Sequence, residues 1–142
     1  MDWAWRLGDH WSLSGLVNYV RGKRDDINDN LYRIAPPNAT LRVDYATASW
    51  SAGLESVMYA RQDNVSKTNG EQETSSYGVI NASASWQATP RLQLAAGVDN
   101  LFDRKYRDHL GGYNRAANDD IAKGQRLPGY GINAFARVVY EF

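Results

Sequence analysis

The sequence predicts an all-β fold: an antiparallel, up-and-down segment of a transmembrane β-barrel, about seven strands, open or incomplete, with long external loops. Three observations carry that reading. Apolar residues recur with period two along most of the chain, the signature of strands with one apolar face. The connections alternate strictly between short and long, as they do between the two sides of a membrane barrel. Trp and Tyr in the apolar register gather near the short turns, where an amphipathic ring suits a water–lipid boundary.

The runs follow in order. A short start covers residues 3–7, closed by the turn Gly8-Asp9-His10. Trp11, Leu13, Gly15, Val17 and Tyr19 then alternate with Ser12, Ser14 and Asn18. Leu41, Val43 and Tyr45 alternate with Arg42, Asp44 and Ala46 before the turn Thr47-Ala48-Ser49. Trp50, Ala52, Leu54, Ser56, Met58 and Ala60 face away from Ser51, Gly53, Glu55, Val57, Tyr59 and Arg61. Gly78, Ile80, Ala82, Ala84 and Trp86 share a face and lead to the turn Ala88-Thr89-Pro90. Leu92, Leu94, Ala96 and Val98 oppose Gln93, Ala95, Gly97 and Asp99. The last run sets Ile132, Ala134, Ala136, Val138, Tyr140 and Phe142 against Asn133, Phe135, Arg137, Val139 and Glu141. Several of these reach about 10–13 residues, longer than the usual globular strand of about 5–6.

Long polar connections are predicted at residues 24–37, 64–76 and 103–128. Trp11, Tyr45, Trp50 and Trp86 form the predicted membrane girdle at the opposite, short-turn end. Charges obey the same division. Arg42, Asp44, Glu55 and Arg137 all fall in the polar register, and none in the apolar one, where a mid-bilayer Arg or Lys costs about 2–4 kcal/mol. The rest of the polar register is small (Ser12, Ser14, Ser51, Gly53, Ser83, Ser85), so it predicts a wet interior or one filled by another domain. A sheet of this kind is expected to be curved and open, with two unpaired edges and an exposed apolar face.

Composition narrows the chemistry. With 16 Lys+Arg against 16 Asp+Glu the net charge is zero, which argues against nucleic acid as partner. No Cys is present, so neither disulfides nor thiolate metal sites are available. Mean hydropathy is -0.58 and no helical span is long and apolar enough to cross a bilayer, but strands need only alternate. The start Met1-Asp2-Trp3 lacks a signal peptide, so export would require sequence upstream. No phosphate loop, catalytic triad order or His pair suggests an enzyme, and neither a cofactor nor a metal site is expected. The acidic stretch around Asp26, Asn28 and Asn30 fails as a calcium loop, because Leu31 stands where Gly is needed and no Glu closes it. The longest connection holds the ligand-loop candidates Tyr106, Arg107, His109, Tyr113, Asn114 and Arg115, since long loops on a rigid scaffold are where recognition sits. A surface loop closed over its own aromatic side chains explains the same residues.

The stretch Val98-Asp99-Asn100-Leu101-Phe102-Asp103-Arg104-Lys105-Tyr106 resembles the N-L-F-D-x-x-Y signature of TonB-dependent outer-membrane receptors. Tyr32-Arg33-Ile34-Ala35-Pro36-Pro37 is similar to a segment entering a descending strand in the same family, and Tyr106 to Arg115 is similar to its copper-receptor branch. The final strand, with Val138, Tyr140 and Phe142 outward, resembles the signal read by the barrel-assembly machinery.

The resemblance implies that residues 1–142 are the C-terminal part of a receptor barrel of about 22 strands, without its plug domain. It implies a Gram-negative outer-membrane location in contact with lipid, and a transported metal chelate (iron–siderophore or copper). TonB would act only through the missing plug, which Arg42, Asp44, Glu55 and Arg137 would face. Alone, the segment is not expected to transport. Two alternatives remain at this stage: a small autonomous outer-membrane barrel, and a soluble β-sheet module that binds a ligand or carbohydrate.

Overall fold

The computed structural model describes residues 1–117 and 120–142. Seven strands form one antiparallel sheet: β1 (Asp2–Leu7), β2 (Trp11–Asn18), β3 (Asn38–Ala46), β4 (Trp50–Tyr59), β5 (Tyr77–Thr89), β6 (Leu92–Asp99) and β7 (Asn133–Tyr140). Their order in space is their order in sequence, and the sheet does not close, so β1 and β7 are its edges.

Register shows why this sequence makes this sheet. Trp11 lies opposite Tyr45, Tyr45 opposite Ala52, Ala52 opposite Ala84, Ala84 opposite Ala96, and Ala96 opposite Ala136. Each step joins apolar-register residues, so the face predicted strand by strand is continuous across the sheet. A slip of one residue in any pair would turn that strand's apolar set to the polar side. The apolar face stays open: Trp5, Leu54, Val138 and Tyr140 are all more than half exposed.

The opposite face is built from short polar pairs and one ion cluster. Ser51 and Ser85 hydroxyls meet at 2.9 Å across β4 and β5. Arg42 donates to both carboxylate oxygens of Asp44, at 2.7–3.0 Å, and to Ser83 Oγ at 3.3 Å. Its remaining nitrogen stands 3.9 Å from Glu55, which accepts a 3.0 Å bond from Asn81. Gly53 makes the cluster possible, because a Cβ there would strike Asp44 and the Arg42 guanidinium. Among the described residues it is also the only one in a strand that is buried.

The short connections are as tight as predicted, with one correction. Gly8 supplies the positive φ of +78° in the first turn. Thr47 closes the second, its hydroxyl accepting from Trp50 N at 3.1 Å. In the third, Ala88-Thr89 is not turn: β5 runs on through Thr89, and a bulge between Gln87 and Thr89 absorbs the extra residue.

All three long connections start earlier than predicted, and the third also ends later. They cover residues 19–37 (L1), 60–76 (L2) and 100–132 (L3). β2, β4 and β7 are shorter than their predicted runs while β3 and β5 are longer, and β4 (10 residues) and β5 (13 residues) fall in the range of about 10–13 residues. The alternation continues past the ladder ends, but there the backbone pairs mostly within its own loop, through isolated bridges at Lys23–Asn30, Gln62–Thr74 and Tyr113–Arg126.

Candidate functional site

The motif after β6 has a clear local cause. Asn100 and Asp103 both adopt left-handed backbone, with φ of 50° and 48°, a conformation Asn and Asp tolerate better than other residues with a Cβ. Asn100 is buried; its amide donates to the carbonyls of Arg104 (3.0 Å) and Tyr130 (3.2 Å) and its oxygen accepts from Arg104 N (2.8 Å). Asp103 Oδ1 accepts from Ile132 N at 3.1 Å. Two side chains therefore clamp the beginning of L3 to its end.

Above this corner the three loops are fastened to each other by polar side chains. Asp29 of L1 accepts from Ser66 Oγ (2.9 Å), Lys67 N (2.9 Å) and Thr68 N (3.0 Å) of L2. Those bonds, Thr68 first, hold its carboxyl far below the usual carboxylate range. Glu71 of L2 sits at the centre. It accepts from Arg33 N at 2.9 Å, from Ser66 N at 2.9 Å and from His109 Nε2 at 3.1 Å, joining all three loops. Arg33 is held at a positive φ of 60° there, and its guanidinium donates to Leu110 O.

His109, one of the ligand-loop candidates, lies inside the loop layer. It is 2% exposed, with Nε2 on Glu71 and Nδ1 3.0 Å from the Thr74 hydroxyl. Burial pushes its pKa down, and Arg126 adds to this against the opposing pull of Glu71. The neutral ring therefore donates to Glu71 and accepts from Thr74. Arg126 completes the knot: its guanidinium donates to the carbonyls of His109, Gly111 and Gln72 and to the Tyr113 hydroxyl, over whose ring it lies at 4.5 Å. Asn114 is also internal, donating to Ile121 O. His109, Tyr113 and Asn114 thus hold L3 together, as a loop closed over its own side chains would, and Arg115 is exposed.

Tyr106 and Arg107 line one cleft. With Arg104, Lys105, Tyr77 and Arg126 they line a cleft of about 900 Å³ between L2 and L3. Tyr77 stacks on Tyr59 at 4.9 Å and on Tyr106 at 4.4 Å, a three-ring ladder rising from the polar register of β4 and β5 into L3. Gly129 lets the last ring lie against the backbone, since a Cβ there would meet the Tyr106 ring. The Tyr77 hydroxyl donates to Asp108 at 2.9 Å. Burial and the nearby Asp108 carboxylate raise the Tyr106 pKa, keeping its hydroxyl protonated.

The remaining predicted residues fall into their registers. Arg42, Asp44 and Glu55 form the ion cluster on the polar face, while Arg137 stands apart on β7, opposite Ala95. Trp11, Tyr45 and Trp50 are in ring contact at 4.9 and 5.1 Å, and Trp86 lies directly opposite Trp50. Val138 and Tyr140 lie on the apolar face, and the Phe142 ring packs edge-on against Tyr140 at 5.3 Å.

An open sheet with one continuous apolar face and its polar loops knotted at one end matches a known design. Residues 1–101 match the family described as TonB dependent receptor-like, beta-barrel. The chain belongs to that family.

Receptors of this family reside in the outer membrane of Gram-negative bacteria. The structure of the copper transporter OprC superposes on 98% of this chain with a TM-score of 0.92 at 25% identity, and the chain spans 22% of it. A mutant ferric enterobactin receptor (PfeA) from Pseudomonas aeruginosa shares the fold over 99% of the chain, with a TM-score of 0.75 and 21% identity. The pesticin receptor of Yersinia enterocolitica is 48% identical over 33 residues, 23% of this chain and 5% of that protein. The chain therefore spans about a fifth of the length of these two solved structures.

Glu71, Arg126 and Asp29, the residues that organise the loop end of this receptor barrel, were not predicted. None is singled out by a local pattern in its polar stretch, and decisive partners lie far away in sequence: 38 positions from Glu71 to His109 and 54 from Gln72 to Arg126. The one available signal was Arg33, in a segment already recognised as family-like.

Proposed function

We propose that this chain is the C-terminal part of the barrel of an outer-membrane TonB-dependent transporter for a metal chelate, either an iron–siderophore or a copper complex. The observation that carries the proposal is the apolar face running unbroken through seven registered strands, backed by the family match. In this reading the apolar face meets lipid, with Trp11, Tyr45, Trp50 and Trp86 at the periplasmic boundary. The ion cluster of Arg42, Asp44 and Glu55, with Arg137 further along, faces a plug supplied by the rest of the receptor. TonB acts on that plug. Val138, Tyr140 and Phe142 engage the barrel-assembly machinery, and L1 to L3 form part of the external ligand face.

The test uses the receptor that carries this segment, expressed in a Gram-negative host. The receptor should fractionate with the outer membrane, show heat-modifiable gel mobility, and support uptake of a radiolabelled iron or copper complex only while TonB is present. Recovery in the soluble fraction, or uptake indifferent to loss of TonB, would overturn the proposal.

A further inference from the structure

We propose that Asn69, in L2, is a site of spontaneous deamidation, that the tie between L1 and L2 restrains the reaction, and that its product loosens that tie. Asn69 is the only Asn of the chain followed by Gly. A side chain on the following residue crowds the approach of its backbone nitrogen to the Asn carbonyl, and Gly has none. Nothing lies within 4 Å of the place a Gly70 Cβ would take, and both residues are exposed to water. Gly70 is held at a φ of +61°, and its N donates to Lys67 O at 3.0 Å to close the turn.

In the reaction hydroxide removes the Gly70 amide proton, and the nitrogen attacks the Asn69 side-chain carbonyl carbon. A C–N bond forms to give a cyclic imide, and the bond to Nδ2 breaks. Ammonia leaves, having taken the proton back from water. Water then opens the imide at one of its two carbonyls. One opening leaves aspartate; the other leaves isoaspartate, whose main chain runs through the side-chain carbon and is one atom longer. Only hydroxide and water are consumed, and nothing is oxidised or reduced. The folded loop commits both reacting groups elsewhere. Removing the Gly70 proton forfeits the bond to Lys67 O, and releasing Nδ2 forfeits its 2.8 Å bond to Ser66 Oγ. Ser66 is fully buried and donates in turn to Asp29 Oδ2 at 2.9 Å. The row from Asn69 through Ser66 to Asp29 therefore runs from the exposed turn into the L1–L2 tie, and the reaction waits for that row to open.

The product acts back on the tie. Ser66 Oγ has its one proton on Asp29, so an aspartate at position 69 meets it with acceptor oxygens only. It also brings a second carboxylate towards that of Asp29, and like charges repel. Isoaspartate does more, because it lengthens the ring of residues 66–71. That ring is closed twice by one residue: Glu71 N donates to Ser66 O at 3.0 Å, and Glu71 Oε2 accepts from Ser66 N at 2.9 Å. Glu71 is the group on which all three loops meet, so a longer ring disturbs the contact between them.

The experiment incubates the purified receptor that carries this segment, in detergent and mildly alkaline buffer. Peptide mapping by mass spectrometry follows each Asn, with electron-transfer fragmentation to separate aspartate from isoaspartate. Asn69 should convert faster than every other Asn of the segment. It should convert about fivefold more slowly in the folded receptor than in the same receptor unfolded in urea, the worth of about one hydrogen bond. Ser66→Ala removes the acceptor of the Asn69 amide and should raise the folded rate towards the unfolded one, while Asn69→Gln should abolish conversion at this position. Asn69→Asp, the product made directly, should speed hydrogen exchange in L1 and L2 and leave β3 to β5 unchanged. Heat-modifiable mobility checks that each barrel is folded. An Asn69 that outlasts the other Asn residues, or converts equally fast folded and unfolded, would overturn the proposal. So would Ser66→Ala reacting at the original rate, or an Asn69→Asp loop layer that exchanges like the original.

Discussion

The strands and the loops of this chain are stabilised in opposite ways. Within the seven strands the structure buries one residue, Gly53, while L1 to L3 bury Pro36, Gln62, Val65, Ser66, Glu71, Thr74, Asn100, His109 and Arg126. In a water-soluble protein the regular elements enclose the core and the loops lie over it. Here the sheet exposes its apolar side chains and the loop end holds the closest thing to a core, made mostly of polar groups. The difference shows that a sheet held by backbone ladders can leave its apolar face to a surrounding apolar medium. Loops in water have no such recourse, and they stay ordered only if nearly all of their buried polar groups pair.

The largest expected effect tests the strand half of that contrast. Leu54→Arg places a charge at the middle of the apolar face and should destabilise the bilayer-embedded barrel by about 2–4 kcal/mol, measured as a lower urea midpoint in lipid vesicles. Ser83→Lys, on the opposite face, should cost far less. Equal costs would refute the assignment of faces. Next comes the knot. Glu71→Ala leaves Ser66 N, Arg33 N and His109 Nε2 without their acceptor and should weaken the loop layer by about 3 kcal/mol. Hydrogen exchange should rise across L1 to L3 and stay unchanged in β3 to β5. A uniform rise over the whole chain would mean that the two layers are one cooperative unit.

A smaller effect follows from pH. The folded-state pKa of His109 is depressed, so the unfolded loop takes up a proton more readily than the folded one. The stabilisation is complete above the unfolded value of about 6.5 and is lost as pH falls from there towards the folded value. Limited proteolysis of L3 should therefore accelerate below about pH 6.5, and His109→Gln should flatten that profile. Asp29 has the same sign but a lower pH window: its depressed pKa keeps the L1–L2 tie intact through this range, so cleavage in L1 should not follow the same curve. The smallest effect belongs to the girdle. Tyr45→Ala removes ring contacts to Trp11 and Trp50 and should cost about 1 kcal/mol, read from the same urea titration.

These contrasts also explain what could be read in advance. The strands were legible because each residue meets one of two very different environments, and the two alternate with the pleat. Trp50, Leu54 and Met58 therefore announce their face without knowledge of any partner. The loop ends were legible only as polar stretches. That His109 belongs to a knot depends on Glu71 and Thr74, which carry no local pattern, and on three loops meeting in space. Arg107 and His109 read alike in the sequence, yet one lines the cleft and the other is buried. Asn100 and Asp103 were read as a family motif, and the structure adds their physical reason: both hold a backbone conformation that most side chains resist.

The strict neighbour-to-neighbour strand order has a consequence for assembly. Every ladder joins strands adjacent in the chain, so the sheet can grow hairpin by hairpin, each new edge serving as template for the next. The inter-loop ties cannot form so early. Asp29 reaches across one hairpin to Lys67, and Arg33 across two to Leu110, 77 positions away. A strand shifted by one residue would displace the ends of its loop by the rise of a residue, about 3.3 Å, more than a hydrogen bond tolerates. The knot of Glu71, His109 and Arg126 therefore closes only over correctly aligned strands. It acts as a late checkpoint that locks in the register the earlier zippering reached.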